Sequence, residues 1–177
     1  EALEEVGAKV NRNCGLHVHH DARDLSVETL KKMLALYIKY EDAIDELLPP
    51  SRRGNGNQYC RSLFGGSTKE RVLREIKNAR TMVDLEAVFN FGRYYKVNLQ
   101  CFRRQGTIEI RHHSGTTNYQ KIRNWIILTQ AILNRAIDGQ VHFSVRIANY
   151  RTFKEALGAG GRGFQDEYSR EAIKFFD

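Results

Sequence analysis

Apolar residues change their spacing several times along the chain, and each change predicts an element. Residues 15–19 alternate, Leu16 and Val18 falling between Gly15, His17 and His19, which is the period of a strand. Ser26 stands where an N-cap belongs, ahead of a long helix with Val27, Leu30, Leu34, Tyr37, Ile44 and Leu47 on one face. Pro49 and Pro50 end it. The next 16 residues, "SRRGNGNQYCRSLFGG", show no period, and an aperiodic loop of that length is expected to serve function. Residues 1–6 read as the end of a helix that stops near Gly7.

Further on, Ser67-x-x-Glu70 predicts a capping box for a helix through Ala79, and 84–89 a shorter helical piece. "YYKVNLQCF" and "TIEIR" alternate as two strands joined through "RRQG", with Gly106 suited to a positive φ. A second long helix is expected over 119–136, capped by Thr117 or Asn118, with Ile122, Trp125, Ile126, Thr129, Ile132 and Leu133 inward. Thr152-x-x-Glu155 predicts a short helix and 166–176 the last one, with "GAGGRG" (158–163) as a flexible joint between them. The pattern divides into a core over 1–139 and a C-terminal helical extension over 140–177.

The strands carry chemistry on one side only. His17 and His19 oppose Leu16 and Val18; Lys96, Asn98 and Gln100 oppose Val97, Leu99 and Cys101; Thr107, Glu109 and Arg111 oppose Ile108 and Ile110. Two long helices can cover the greasy face, which leaves imidazoles, an amide, a carboxylate and a guanidinium to line a wet cavity. His17 and Glu109 suit a divalent metal; Asn98, Arg93 and Arg111 suit phosphate or carboxylate oxygens. A cation with guanidinium clamps is the equipment of phosphoryl transfer.

Composition narrows the class. The chain has 177 residues, 41% of them hydrophobic, enough for one domain with a real core. No apolar run approaches the roughly 20 residues of a membrane span, and the acidic first residues are not a signal peptide. Since the chain does not begin with Met, it reads as a fragment or processed product. Cys14, Cys60 and Cys101 lie far apart without a CxxC pair, which argues for a reducing, cytoplasmic setting and against a disulfide framework or a thiolate zinc site. Net charge of +7 favours anionic partners, but no basic block exceeds two residues, so nucleic acid is disfavoured.

"NRNCGLHVHH" resembles the glycine-led His-x-His strand of glutamine synthetase, "NQYCR" its Asn-x-Tyr-x-Arg segment, "RYYKVN" its phosphate-contacting strand and "TIEIR" its Glu-x-Arg strand, all in the same order. Over roughly residues 10–135 the chain more closely resembles the amidoligase family of the carboxylate–amine ligase superfamily, through "GLHVHHD", "LLPPSRR…YCRSL", "YYKVNL" and "GTIEIRHHSGTTN…KIRNWI". The resemblance implies an α+β fold: an antiparallel sheet or partial barrel of the glutamine synthetase catalytic type, covered on one face by long helices. It implies an ATP-dependent ligase that joins a small-molecule or peptide carboxylate to an amine through an acyl phosphate, with Mg2+ or Mn2+. In it His17 and Glu109 ligate the metal, His19 contacts ATP phosphates, Arg61 and Arg111 bind the carboxylate, and Arg93 meets the transferred phosphate. Asn98 stands where glutamine synthetase has an arginine. The superfamily's upstream Glu-x-Glu strand has no counterpart before residue 13, so an N-terminal segment, or a companion chain, is expected to complete the metal sites.

Two other classes compete. His17-x-His19-x-Asp21 matches the opening of metallo-β-lactamase-like hydrolases, although Ala22 stands where those carry another histidine. A non-enzymatic basic module could use "RYYK" against nucleic acid. His20 and Asp21 are expected to turn the chain. His112 and His113 follow Glu109-x-Arg111 and either reach the site or are loop histidines at a strand end, Arg52 and Arg53 either close over an anion or lie on the surface, and Cys14 and Cys101 read as packing residues.

Overall fold

The computed structural model describes residues 2–139, 141–146, 148–157, 171–172 and 174–175. Its order is α1 (Ala2–Glu5), β1 (Gly15–Asp21), α2 (Val27–Glu46), a 3-10 turn (Pro50–Arg52), α3 (Lys69–Asn78), α4 (Met82–Val88), β2 (Val97–Asn98), α5 (Cys101–Gln105), β3 (Thr107–Ser114), α6 (Tyr119–Asp138) and α7 (Tyr150–Ala156). This is an α+β architecture built on one small antiparallel sheet, in the order β1-β3-β2. Among the described residues the sheet has three strands and does not close into a barrel. The joint at 158–163 and most of the last expected helix lie outside the described residues.

The helices begin where short polar side chains can satisfy free backbone N–H groups. The Ser26 hydroxyl accepts from Thr29 N, and Asn118 Oδ1 from Lys121 N. Thr68, not Ser67, caps α3; Thr81 with Asp84 forms the capping box of α4; Asn149, three residues before Thr152 and in a capping box with it, caps α7. Leu30, Leu34, Tyr37 and Ile44 on α2 pack with Trp125, Ile132 and Leu133 on α6 into one core, which also takes Val18, Val97, Ile108 and Ile110 from the sheet. Ile126 is the exception on α6: it faces solvent.

Three strand expectations need correction. β1 runs to Asp21, so His20 does not turn the chain; it lies on the core face, bonded to Thr129 Oγ1 and Gln130 Oε1 at 2.9 Å each. β3 continues through His112 and His113. From Leu16 to Val18 β1 advances two residues while β3 advances three, from Ile110 to His113, so β3 carries a bulge. Both histidines end up buried, with their rings 6.2 and 5.1 Å from Trp125. Finally, β2 lasts only two residues and there is no β2–β3 hairpin: Cys101–Gln105 coils into α5, and Gly106 at φ 68° stops it and turns into β3.

Lys96 explains why β2 is short. Instead of sharing a face with Asn98, its side chain is fully buried beneath α2, with Nζ 2.8 Å from Glu41 and 2.6 Å from Asp45. Asp45 also accepts from His112 Nε2 at 2.5 Å, and the Tyr37 hydroxyl lies 2.8 Å from His112 Nδ1. Because Asp45 can only accept, His112 carries its proton on Nε2 and Tyr37 donates to Nδ1. Glu41 and Asp45 further receive the N–H groups of Leu63 and Gly54, which fastens both ends of the long loop to α2.

Lys96→Met leaves two buried carboxylates without their cation and is expected to cost about 3–5 kcal/mol in urea unfolding. Burial lowers the His112 imidazole to about 4, with Asp45 pulling the other way. The unfolded chain therefore takes up a proton that the folded one refuses: this stability is complete above about pH 6.5 and is lost as pH falls towards 4. Unfolding free energies across that window should fall with acid in the wild type and much less in His112→Gln.

Candidate active site

Residues opposite one another in a sheet share a face. β3 pairs Glu109 with His19 of β1 on one side and with Asn98 of β2 on the other, and His17 and Arg111 follow on the same face. The side chains converge on one carboxylate. Glu109 Oε1 lies 2.9 Å from His17 Nδ1, 3.7 Å from His19 Nε2 and 2.8 Å from Arg111 Nη1. Its Oε2 accepts from Asn98 Nδ2 at 2.7 Å and from the Cys101 thiol at 3.5 Å.

Glu109 is only 5% exposed. Burial alone would raise its carboxyl, but hydrogen bonds from His17 and Asn98 and the Arg111 charge outweigh that and hold it far below the ordinary carboxylate range. The Cys101 thiol goes the other way: burial and the neighbouring Glu109 charge push it up to about 11. The centre is thus a fixed anion ringed by donors, open to solvent on the His17 and His19 side, where both side chains are about one-third exposed (34% and 38%).

A cleft of about 810 Å3 opens beside it, lined by His17 and Arg111, by Arg12 and Gly15, and by Arg52 and Tyr59 of the long loop among others. Among the described residues no carboxylate lines it, so three guanidinium groups give it a positive wall. Gly15 is needed here: a Cβ would stand 2.7 Å from His17 Nε2 and 3.3 Å from Arg52 Nη2, so the bare backbone lets both side chains fold over it. Arg52 is buried and donates to the Cys14 carbonyl, tying the loop to the entry of β1. Arg111 Nε reaches the Tyr59 carbonyl at 3.3 Å, which fixes the loop's far side.

The structure brings His17, His19, Asn98, Glu109 and Arg111 together. Arg93 lies at the margin. Its guanidinium sits 4.8 Å from the centre of the Tyr94 ring, which Arg111 approaches at 5.7 Å, and it donates to the Tyr94 hydroxyl at 2.6 Å. Arg61 stacks 4.5 Å from the Tyr95 ring centre, and its backbone pairs in parallel with Tyr95. Both ends of Asn98 are engaged inside the protein, since Oδ1 accepts from Gln100 N. Asp21 is held by Arg23, 2.6 Å away.

Spacing along the chain does not mark Arg12, Tyr94 or Cys101 as site residues. Tyr94 belongs to the aromatic-basic "RYYK" cluster, which was a usable signal. Cys101 could not be found by alternation, because α5 turns it from the expected apolar side towards Glu109.

Imidazoles, a carboxylate and guanidinium groups gathered on the uncovered face of an antiparallel sheet define a polar centre able to hold a cation and an anion together. His19, Cys101 and Glu109 present ligand atoms within 4.8 Å of one another, a spacing that suits one metal ion. The family model described as "Putative amidoligase enzyme" matches residues 1–133, and the chain belongs to that family. None of the curated proteins and none of the solved structures matches it. Among the described residues no helix is long and apolar enough to cross a membrane.

Because Glu109 is held ionised, its contribution to stability is present above the unfolded value of about 4.3 and is lost as pH falls through its own depressed value. Carboxyl NMR titration should show no Glu109 midpoint near 4.3; an ordinary midpoint would mean that its donors are not in place.

Proposed function

We propose that this chain forms the centre of an ATP-dependent carboxylate–amine ligase, acting on a small-molecule or peptide acid. The observation that carries the reading is the convergence of His17, His19, Asn98 and Arg111 on the single carboxylate of Glu109, beside a cleft walled by arginines. A carboxylate oxygen of the acid attacks the terminal phosphorus of ATP and ADP leaves. The amine then attacks the carbonyl carbon, phosphate leaves, and the nitrogen loses a proton to give the amide.

In this reading Arg111 orients the acid at the cleft floor, with Arg12 and Arg52 adding positive charge along it. Arg93 meets the phosphate oxygens from the open side. Asn98 positions Glu109 rather than touching nucleotide, since its amide is already bonded. The donors around Glu109 fit a divalent cation, which when bound neutralises phosphate charge. Arg61, stacked on Tyr95, acts on the acid only if the loop moves inward from its place here.

A metal-dependent hydrolase is the second reading, favoured by the His19–Cys101–Glu109 cluster. Against its sequence form, Asp21 of His-x-His-x-Asp is paired with Arg23 rather than with the cluster. The two readings part on one measurement. ADP release that requires both an acid and an amine supports the ligase; hydrolysis without ATP supports the alternative. Arg111→Gln removes a charged hydrogen-bond donor to the acid and is expected to lower kcat/KM for the acid about 100-fold, or about 2.7 kcal/mol, with little change in KM for ATP.

A further inference from the structure

Cys101 has no role in the ligase steps just described, yet it lies at their centre. Its Sγ is 3.5 Å from Glu109 Oε2, and Asn98 Nδ2 donates to it at 3.2 Å. On the other side of the carboxylate, His19 Nε2 is 3.7 Å from Oε1. The far nitrogen of the same ring, Nδ1, is 3.0 Å from Thr107 Oγ1.

We propose that His19, Cys101 and Glu109 form a site for a thiophilic divalent cation of the zinc class, with His19 rather than His17 as the ligating imidazole. The assignment rests on the ligase reading for what the cation does, not for where it binds. The spacings fit such an ion. With bonds of about 2.3 Å to sulfur and about 2.1 Å to nitrogen and oxygen, a tetrahedral centre needs edges of about 3.6 Å for S···O and about 3.4 Å for N···O. Those distances run here to the two oxygens of one carboxylate, 3.5 Å from sulfur and 3.7 Å from nitrogen, and the three ligand atoms lie within 4.8 Å of one another, so Glu109 must turn for one oxygen to serve both partners.

The surroundings fit it as well. When Nδ1–H donates to Thr107, the Nε2 lone pair is left facing the cluster, which is how ligating histidines are commonly oriented. Binding replaces the thiol proton: Cys–SH and the cation give Cys–S–metal and a released proton, and the Asn98 amide then donates to the thiolate. The exposed edge of His19 leaves a coordination position open to solvent or substrate. His17, by contrast, has its Nδ1 engaged with Glu109 and lies 3.5 Å from Arg111 Nη1. A hard ion such as Mg2+ wants six oxygens in an octahedron, and sulfur and imidazole are poor substitutes.

Cobalt titration of the full chain, without nucleotide, tests this directly. Wild type should show a near-ultraviolet sulfur-to-cobalt charge-transfer band with the visible bands of tetrahedral cobalt. Zn2+ should abolish both, and a thousandfold excess of Mg2+ should not. Cys101→Ser should lose the charge-transfer band and bind at least tenfold more weakly, whereas Cys14→Ser keeps both. Thr107→Val should bind 10–100-fold more weakly while its thermal unfolding is unchanged. Octahedral cobalt without a sulfur band, an unchanged Cys101→Ser spectrum, or displacement by Mg2+ on equal terms would overturn the assignment. If Cys101→Ser fails to fold, the Mg2+ competition and Thr107→Val still decide. A cobalt band without ADP release sinks the ligase reading alone; ADP release without the band sinks this site alone.

Discussion

The buried ammonium of Lys96 is the constraint on which the rest of the structure depends. It sits between Glu41 and Asp45 of α2 with no access to water, at the point where the chain enters β2. Its backbone carbonyl accepts from Arg111 N, and its N–H donates to the Arg61 carbonyl. One residue therefore locks α2, the long loop and β3 together. Its backbone bond to Arg111 leads into the pairing of Val97 with Ile110, the register that sets Asn98 against Glu109. Such a group is costly to bury and is held by hydrogen bonds to both carboxylates, which also hold Gly54 and Leu63 of the loop.

Two carboxylate centres thus sit on opposite sides of one thin sheet and do different work. Asp45, beneath the sheet, is lowered: burial would raise it, and His112 and Lys96 outweigh that burial. It is buried against Lys96, His112 and the Gly54 N–H, and serves the fold. Glu109, above the sheet, has a comparable ring of donors but faces a positively charged cleft, where an anionic acid and phosphate can approach. β3 supplies both: Ile110 and His112 point down, Glu109 and Arg111 point up. The family match covers both centres, since residues 1–133 include every side chain named in them.

Much of this was legible beforehand. His17 with His19, and Glu109 with Arg111, were placed on one polar face by alternation alone, because a two-residue period survives any twist of the strand. The two long helices followed from their stripes and their caps. Alternation failed where the chain stopped being a strand: the ion pair at Lys96 and the coil of α5 break the period on either side of Val97 and Asn98. It failed again at the β3 bulge, which turned both His112 and His113 inward. None of those breaks has a local signature, since each depends on a partner far along the chain.

The sequence by itself determined which side chains could share a face, where the long helices begin, and the family, because these rest on spacing between near neighbours. Only the tertiary structure decided that Cys101 joins His19 at Glu109, that Lys96 is buried beneath α2, and that Arg12 and Arg52 wall the cleft. Each of these contacts joins segments whose approach is set by packing across the whole core, and no short stretch of residues encodes that distance.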